Sequence, residues 1–275
     1  MITVNTIDIF PSDNYVDIAL STGKKYKILL KDYENLPFDC QPDCLLENII
    51  IDVTKLDLSE TNQYFDGDCV AFLFFLSRKH TIYRSAISKV SMTDIPKKLL
   101  MSKLYYSYKN FNKNIKNKNK AIIEIDPEIL KNLCGLVCDE FEERGYIDDR
   151  RYAFDKAKYL KEYKKYGNNK IKEYLYQKRI PADIISEILE DEYFNDESDE
   201  IFEDMRFLLI KKYGENLNRL DKSDRNDIQK AINTLIRNGY KYQQAKNTVF
   251  DLIEDENIDF RYAGYTEEEE ENEDE

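Results

Sequence analysis

The sequence has few of the residues from which most enzyme sites are built. Its 275 residues include eight glycines, six prolines and one histidine, and no tryptophan. Neither the G-x-G-x-x-G nor the G-x-x-x-x-G-K-[ST] motif of nucleotide-binding folds occurs in it. With His80 as the single histidine, we expect no multi-histidine metal site, no catalytic residue and no cofactor. The shortage of glycine and proline, together with 35% charged residues, indicates a mainly α protein.

Cysteines and long apolar segments are scarce as well. The five cysteines are an odd number, and the pairs Cys40/Cys44 and Cys134/Cys138 lack the C-x-x-C spacing of zinc sites, which argues against a disulfide framework and a metal centre. At i, i+4 in a helical pattern, Cys134 and Cys138 should share a buried face. The longest apolar run, 69–76, has eight residues, whereas a membrane span needs about 20. We therefore expect a cytoplasmic monomer with no membrane contact.

The formal net charge of −13 hides a strongly basic middle. The segment Lys97–Lys120 holds eight lysines and no acidic residue, and Arg150–Ile180 holds eleven basic and three acidic residues. In contrast, eight of the nine residues in 267–275 are acidic, and a block of like charge that cannot bury surface is expected to be disordered. The basic segments are therefore the places to look for a binding surface.

The pattern predicts a small β-rich unit over 1–65. Two short β-favouring runs flank Ser21-Thr22-Gly23, which is typical of a hairpin, and Leu45–Val53 is a third apolar run. From residue 66 the period becomes helical. We expect one helix to end near Arg78, Thr81 to cap a second, and Asn110–Lys120 to form a loop inside a basic insertion, 97–120.

Later in the chain the helices repeat with an offset of 60 residues. Leu175 aligns with Leu235, Ile180 with Tyr240, Ile185 with Ala245 and Leu189 with Val249. Such units stack and bury a face against their neighbours. We expect three three-helix repeats over 66–147, 148–195 and 196–255, which form an elongated curved array, followed by a disordered acidic tail over 256–275.

Four stretches of the chain form an ordered set: Phe75–Thr81, residues 143–153, Tyr166–Ile180 and Leu235–Tyr240. Residues 143–153 resemble the signature G-Y-[IL]-[DN]-D-x-x-[YF]-A of the RecX family, whose members regulate the RecA recombinase, and the other three stretches resemble further motifs of that family. The resemblance covers roughly residues 66–255. One departure is Arg179, which stands where the family usually has a glycine after a helix. The overall acidity is a second departure.

The signature residues are predicted to have structural roles. Gly145 can end one helix, and Asp148 or Asp149 can accept hydrogen bonds at the start of the next. We therefore assign a structural role to the signature residues Gly145, Tyr146, Asp148, Asp149, Tyr152 and Ala153.

The basic residues of 150–179 are the candidate binding residues. On a helix, Arg151, Lys158 and Lys165 would form one stripe with Lys161 beside it, and three acids cannot neutralise eleven cations. An ordinary solvated face is the alternative. An acidic surface or a phosphate backbone would complement the stripe. The candidate partner-binding or DNA-binding residues are Arg150, Arg151, Lys158, Lys161, Lys165, Lys170, Lys172, Lys178 and Arg179.

The resemblance implies a function. A RecX-like protein would lie in the groove of the RecA filament on single-stranded DNA, with weak direct DNA contact, and would restrain recombination and ATP hydrolysis without catalysing a reaction. It would thereby tune DNA repair and the SOS response. A stand-alone helical DNA-binding protein that acts without RecA is the alternative, and the net charge of −13 argues against it.

Overall fold

The computed structural model describes residues 1–46, 68–114, 126–194, 199–214 and 225–254. Within these residues the chain forms ten α-helices and one three-stranded sheet, so the predicted mainly α class is confirmed. The chain divides into two compact units, Met1–Asp148 and Asp149–Glu275. The predicted acidic tail, most of the third apolar run and the end of the basic insertion lie outside the described residues.

The sheet is an antiparallel meander. Its strands are β1 (Val4–Phe10), β2 (Tyr15–Leu20) and β3 (Lys25–Leu29), in the spatial order β1-β2-β3. The predicted hairpin joins β2 to β3, and Gly23 takes a left-handed φ of +78° in its turn. The short helix α1 (Leu30–Glu34) follows directly.

Three long helices complete the first unit: α2 (Cys69–Val90), α3 (Lys97–Asn114) and α4 (Pro127–Glu143). The expected break near Thr81 is wrong. The α2 helix is continuous, and within it the Thr81 hydroxyl donates to the carbonyl of Ser77 (3.0 Å). The N-cap is Asp68, whose carboxylate accepts from the N–H groups of Val70 and Ala71. The expected loop from residue 110 is also wrong as far as Asn114, because α3 extends to that residue.

The sheet and the three helices share one hydrophobic core. Val16 of β2, Leu73 of α2, Leu104 of α3 and Leu133 of α4 are all fully buried in it. Cys134 and Cys138 are buried in the same core, as their i, i+4 spacing predicts. The β-rich segment is therefore packed as part of the first helical unit and has no separate core among the described residues.

In the part of the second unit that the structure describes, six α-helices form two groups of three, each with its own core. The first group is α5 (Asp149–Glu162), α6 (Asn168–Gln177) and α7 (Ala182–Leu189). The second is α8 (Asp199–Tyr213), α9 (Arg225–Arg237) and α10 (Tyr242–Glu254). Three helices thus fall within each of the ranges 66–147, 148–195 and 196–255, while their standing as separate domains stays a prediction.

The 60-residue repeat is visible as a repeated turn. After α6, Arg179 has φ +64° and the N–H of Ile180 donates to the carbonyl of Leu175 (3.1 Å). After α9, Gly239 has φ +93° and the N–H of Tyr240 donates to the carbonyl of Leu235 (3.2 Å). An arginine therefore adopts the left-handed conformation that glycine adopts in the next repeat, at a cost of about 1 kcal/mol.

Candidate functional site

The signature segment connects α4 to α5. Gly145 takes a φ of +71° after the last turn of α4, and the N–H of Tyr146 donates to the carbonyl of Phe141 (2.8 Å). Ile147 is then buried in the core of the first unit. This is the geometry of a glycine-terminated helix, in which otherwise unpaired carbonyls of the last turn are satisfied.

The rest of the signature begins α5. Asp148 precedes the helix and is exposed, whereas Asp149 is the first helical residue and is buried. Tyr152 and Ala153 lie one turn later, and both are buried in the core of that three-helix group. The structural role of the signature residues stays a prediction. These positions leave the exposed side chains of α5 and α6 as the candidate binding surface.

The predicted basic stripe does not extend to Lys165. The α5 helix ends at Glu162, and Lys165 follows in a left-handed conformation with φ +55°. Its ammonium group pairs with the carboxylate of Asp204 on α8 (2.8 Å), and its carbonyl accepts from the Tyr240 hydroxyl (2.7 Å). Lys165 therefore connects the two three-helix groups of the second unit, and the expected alignment with Arg151 and Lys158 is wrong.

Four other candidate cations have partners inside the second unit. Arg150 pairs with Glu187, Lys170 with Glu173 (3.3 Å) and Lys158 with Glu162 (3.9 Å). Lys161 donates to the carbonyl of Tyr193 and lies over its ring. Exposed pairs of this kind contribute about 0–1 kcal/mol, so a polyanionic partner can displace them.

The exposed cations of this surface are spread over both α5 and α6. Arg151 and Lys158 are exposed on α5, and Lys172 is exposed on α6. The turn after α6 adds Arg179, which is exposed, and Lys178, which is half-buried with its ammonium group 5.1 Å from the centre of the Tyr174 ring. We call the exposed residues Arg151, Lys158, Lys172 and Arg179 the basic surface.

Exposed tyrosines lie beside these cations, and the sequence did not point to these tyrosines. Tyr159 and Tyr163 stack at 5.3 Å between ring centres, and Tyr163 is 72% exposed. Tyr176 is exposed as well, with the Lys172 ammonium group 6.0 Å from its ring centre. The i, i+4 spacing of Tyr159 and Tyr163 beside lysines was the available signal. The surface therefore combines positive charge with exposed aromatic rings.

A close contact of two glycines joins the two groups of the second unit. The N–H of Gly167 donates to the carbonyl of Asn238 (2.8 Å), and the N–H of Asn169 donates to that of Gly239 (3.2 Å). A Cβ atom at Gly239 would lie 2.3 Å from the backbone nitrogen of Lys170, and one at Gly167 would lie 2.6 Å from the carbonyl of Gly239. We call this contact the glycine joint. It fixes the basic surface relative to α8–α10.

The histidine and four of the cysteines are buried in the first unit, and burial shifts their pKa values. Burial, together with Arg84 and Lys27, lowers the pKa of His80, whose ring packs 5.7 Å from that of Tyr15. Burial raises the pKa of Cys134 and Cys138 to about 12. In the same described ranges no group of three or more His, Cys, Asp or Glu side chains could hold a metal ion. None of the helices described is long and apolar enough to cross a membrane.

Comparison with known proteins identifies the segment that carries the basic surface. Residues 148–189 match the family model described as RecX, second three-helix domain. No curated protein matches the sequence significantly. A crystal structure of regulatory protein RecX is similar to the chain, with a TM-score of 0.58 and 16% identity, over 93% of this chain and all of the other. This likeness shows a shared fold.

A second solved structure is more distant. RecX from Lactobacillus salivarius has 18% identity and a TM-score of 0.46, over 63% of this chain and 96% of the other. The family model covers the end of the signature, from residue 148, and the Tyr166–Ile180 segment. Residues 148–189 therefore match a RecX second three-helix domain, and the predicted resemblance to the RecX family is confirmed.

Proposed function

We propose that this protein binds the RecA filament on single-stranded DNA and restrains its recombinase and ATPase activity without catalysing a reaction itself. The observation that carries the proposal is the match of residues 148–189 to the RecX second three-helix domain. On this proposal the protein is a cytoplasmic monomer that tunes DNA repair and the SOS response.

The basic surface supports the proposal on physical grounds. Arg151, Lys158 and Lys172 are exposed on two helices that share one core, so the charges are held on a stable support. A filament on DNA offers both phosphates and acidic protein side chains, and either would complement these cations. Weak contacts repeated along a filament also add by avidity, so no single contact needs to be strong.

The test measures ATP hydrolysis by the cognate RecA on single-stranded DNA while this protein is added at substoichiometric ratios to RecA. We expect the wild type to inhibit. A variant with Arg151→Glu, Lys158→Glu and Lys172→Glu should inhibit at least tenfold less, because three charges are reversed at the proposed contact and its net charge falls by six units. Lys165 is left unchanged because its pair with Asp204 belongs to the glycine joint region.

The matched control reverses three exposed cations on α8 and α9 instead: Lys211, Arg225 and Arg237. This control changes the net charge of the chain by the same amount, and we expect it to inhibit as the wild type does. An equal loss of inhibition in both variants would show that inhibition depends on the total charge of the protein, and it would contradict a specific binding surface. No effect of the wild type at a tenfold excess would refute the proposal, and steeply salt-dependent DNA binding would then favour the stand-alone DNA-binding alternative.

A further inference from the structure

The helix α3 lies outside the segment that matches the RecX model, and it carries an unusual surface. Its 18 residues include no acidic residue. One side of the helix is buried, with Leu100 and Leu104 fully inside the core and the Tyr108 hydroxyl donating to the carbonyl of Thr81 on α2 (3.1 Å). The opposite side is therefore held in a fixed orientation by the first unit.

The exposed side of α3 centres on a tyrosine. At 100° per residue, Tyr106 lies between Lys98 and Lys109 on one side and Lys103 on the other, and all four side chains are exposed. Tyr106 is 55% exposed. From Lys98 to Lys109 the helix rises about 16 Å, so the cations are spread along a line. We call Lys98, Lys103, Tyr106 and Lys109 the α3 face.

The rings on this helix are arranged to leave an aromatic surface open. Tyr105 packs edge-to-face against Tyr106, with 5.4 Å between ring centres and an interplanar angle of 73°. The Lys109 ammonium group lies 5.3 Å from the centre of the Tyr105 ring. Tyr105 thus braces Tyr106 from one edge. Lys97, in the first turn, is already paired with Asp139 and Glu142 of α4, so those two acids are engaged by a residue outside the α3 face.

We infer that the α3 face is a binding site for single-stranded nucleic acid. A line of cations without acids fits a phosphate backbone, and an exposed, braced tyrosine between them fits an unpaired base, which stacks on an aromatic ring. An acidic peptide would use the lysines but would gain nothing from Tyr106. A duplex keeps its bases stacked on one another and would likewise leave the ring unused. This site is separate from the basic surface and goes beyond the proposed function.

The experiment measures binding of the full chain to a fluorescent dT20 oligonucleotide, without RecA, between 50 and 200 mM salt. An abasic 20-mer with the same phosphates is the second probe. We expect Tyr106→Leu to weaken dT20 binding about 5- to 100-fold and to leave the abasic probe unchanged, because base stacking alone is lost. Tyr106→Phe keeps a ring and should bind dT20 as the wild type does.

The lysines are tested through the salt dependence. Replacing Lys98, Lys103 and Lys109 with Gln should reduce the slope of log K against log salt by about 2, at about 0.7 per phosphate contact on a single strand. The matched control replaces three exposed cations elsewhere in the first unit with Gln: Lys24, Lys25 and Lys131. We expect this control to keep the wild-type slope.

Three results would overturn the inference. The first is equal binding of dT20 by Tyr106→Leu and the wild type. The second is an equal loss of slope in the control triple variant, which would indicate attraction by total charge. The third is displacement of dT20 by an oligo-glutamate of the same charge at the same concentration, which would make an acidic protein segment the ligand. Because RecA is absent from every one of these binding measurements, their outcomes do not bear on the proposed function, which the filament ATPase assay tests separately.

Discussion

The glycine joint gives a stability prediction that can be tested by comparing alanine substitutions at Gly239, Gly167 and Gly214, because the three differ in backbone strain and in steric overlap. Gly239→Ala combines a left-handed φ of +93° with a Cβ atom 2.3 Å from a backbone nitrogen. The backbone strain costs about 1 kcal/mol. Overpacking against the backbone costs about 1–3 kcal/mol, and separation of the two segments would weaken two backbone hydrogen bonds at about 1 kcal/mol each. We expect the free energy of unfolding of the second unit to fall by about 4–6 kcal/mol in total.

The other two glycines separate the contributions. Gly214 has φ +50° with nothing within 4 Å of its Cβ position, so Gly214→Ala should cost about 1 kcal/mol or less. Gly167 has an ordinary φ of −74°, so Gly167→Ala adds no left-handed strain, but its Cβ would lie 2.6 Å from Gly239 and would separate the same two segments. We expect a cost of about 3–5 kcal/mol from overpacking and the two weakened hydrogen bonds. Urea unfolding followed by circular dichroism gives the free energies. Hydrogen exchange of peptides over 160–175 and 230–245 gives their location. Equal stability of Gly239→Ala and Gly214→Ala would refute the joint.

Three further predictions concern buried groups. The nearly buried carboxylate of Glu140 pairs with Lys31, Lys79 and Arg144. Glu140→Gln should therefore destabilise the first unit by about 3 kcal/mol, measured as a lower midpoint of urea unfolding. An unchanged midpoint would contradict this prediction. Cys44 is half-buried, whereas burial raises the pKa of Cys40, Cys69, Cys134 and Cys138 to between about 11 and 12. Ellman's reagent should therefore titrate Cys44 alone quickly in the folded protein and all five thiols in urea. Five fast thiols in the folded protein would disprove this prediction. The pKa of His80 is lowered in the folded state, so the unfolded chain takes up the proton first, and stability should fall as pH drops below about 6.5. That part of the pH dependence should be absent in His80→Gln, and its persistence there would exclude His80 as the cause.

Features set by local chemistry could be predicted from the sequence. The hairpin around Gly23 and the stop at Gly145 each depend on residues within one turn of each other, and the structure has both. The 60-residue repeat was also accessible, because buried positions recur at equivalent places in the helices, such as Leu175 and Leu235.

Features set by tertiary contacts could not be predicted in the same way. Thr81 can either cap a helix or bond to a carbonyl within one, and only the continuous packing of α2 favours the second. The position of Lys165 in the turn after α5 depends on its contacts with Asp204 and Tyr240, which are distant in sequence. Gly167 and Gly239 signal helix ends, and nothing in their local sequence shows that they contact each other.

The same limit applies to the candidate site. The sequence located the basic segment 150–179, but it could not show that Lys165 pairs with Asp204 on α8 whereas Lys172 is exposed on α6. It also treated 97–120 as an insertion, whereas α3 is a core helix with one exposed basic side as far as Lys109. Charge counts give the amount of positive charge, and the fold decides where it is presented.

The most direct test of the central claim is co-sedimentation with preformed RecA filaments. Filaments are assembled on single-stranded DNA with a non-hydrolysable ATP analogue, and free RecA and naked DNA are the two controls. The account predicts that the protein pellets with the filament in a saturable manner, more weakly with either control, and that the variant with Arg151→Glu, Lys158→Glu and Lys172→Glu stays in the supernatant. A wild-type protein that remains in the supernatant at filament excess, or pellets equally with naked DNA, would contradict it.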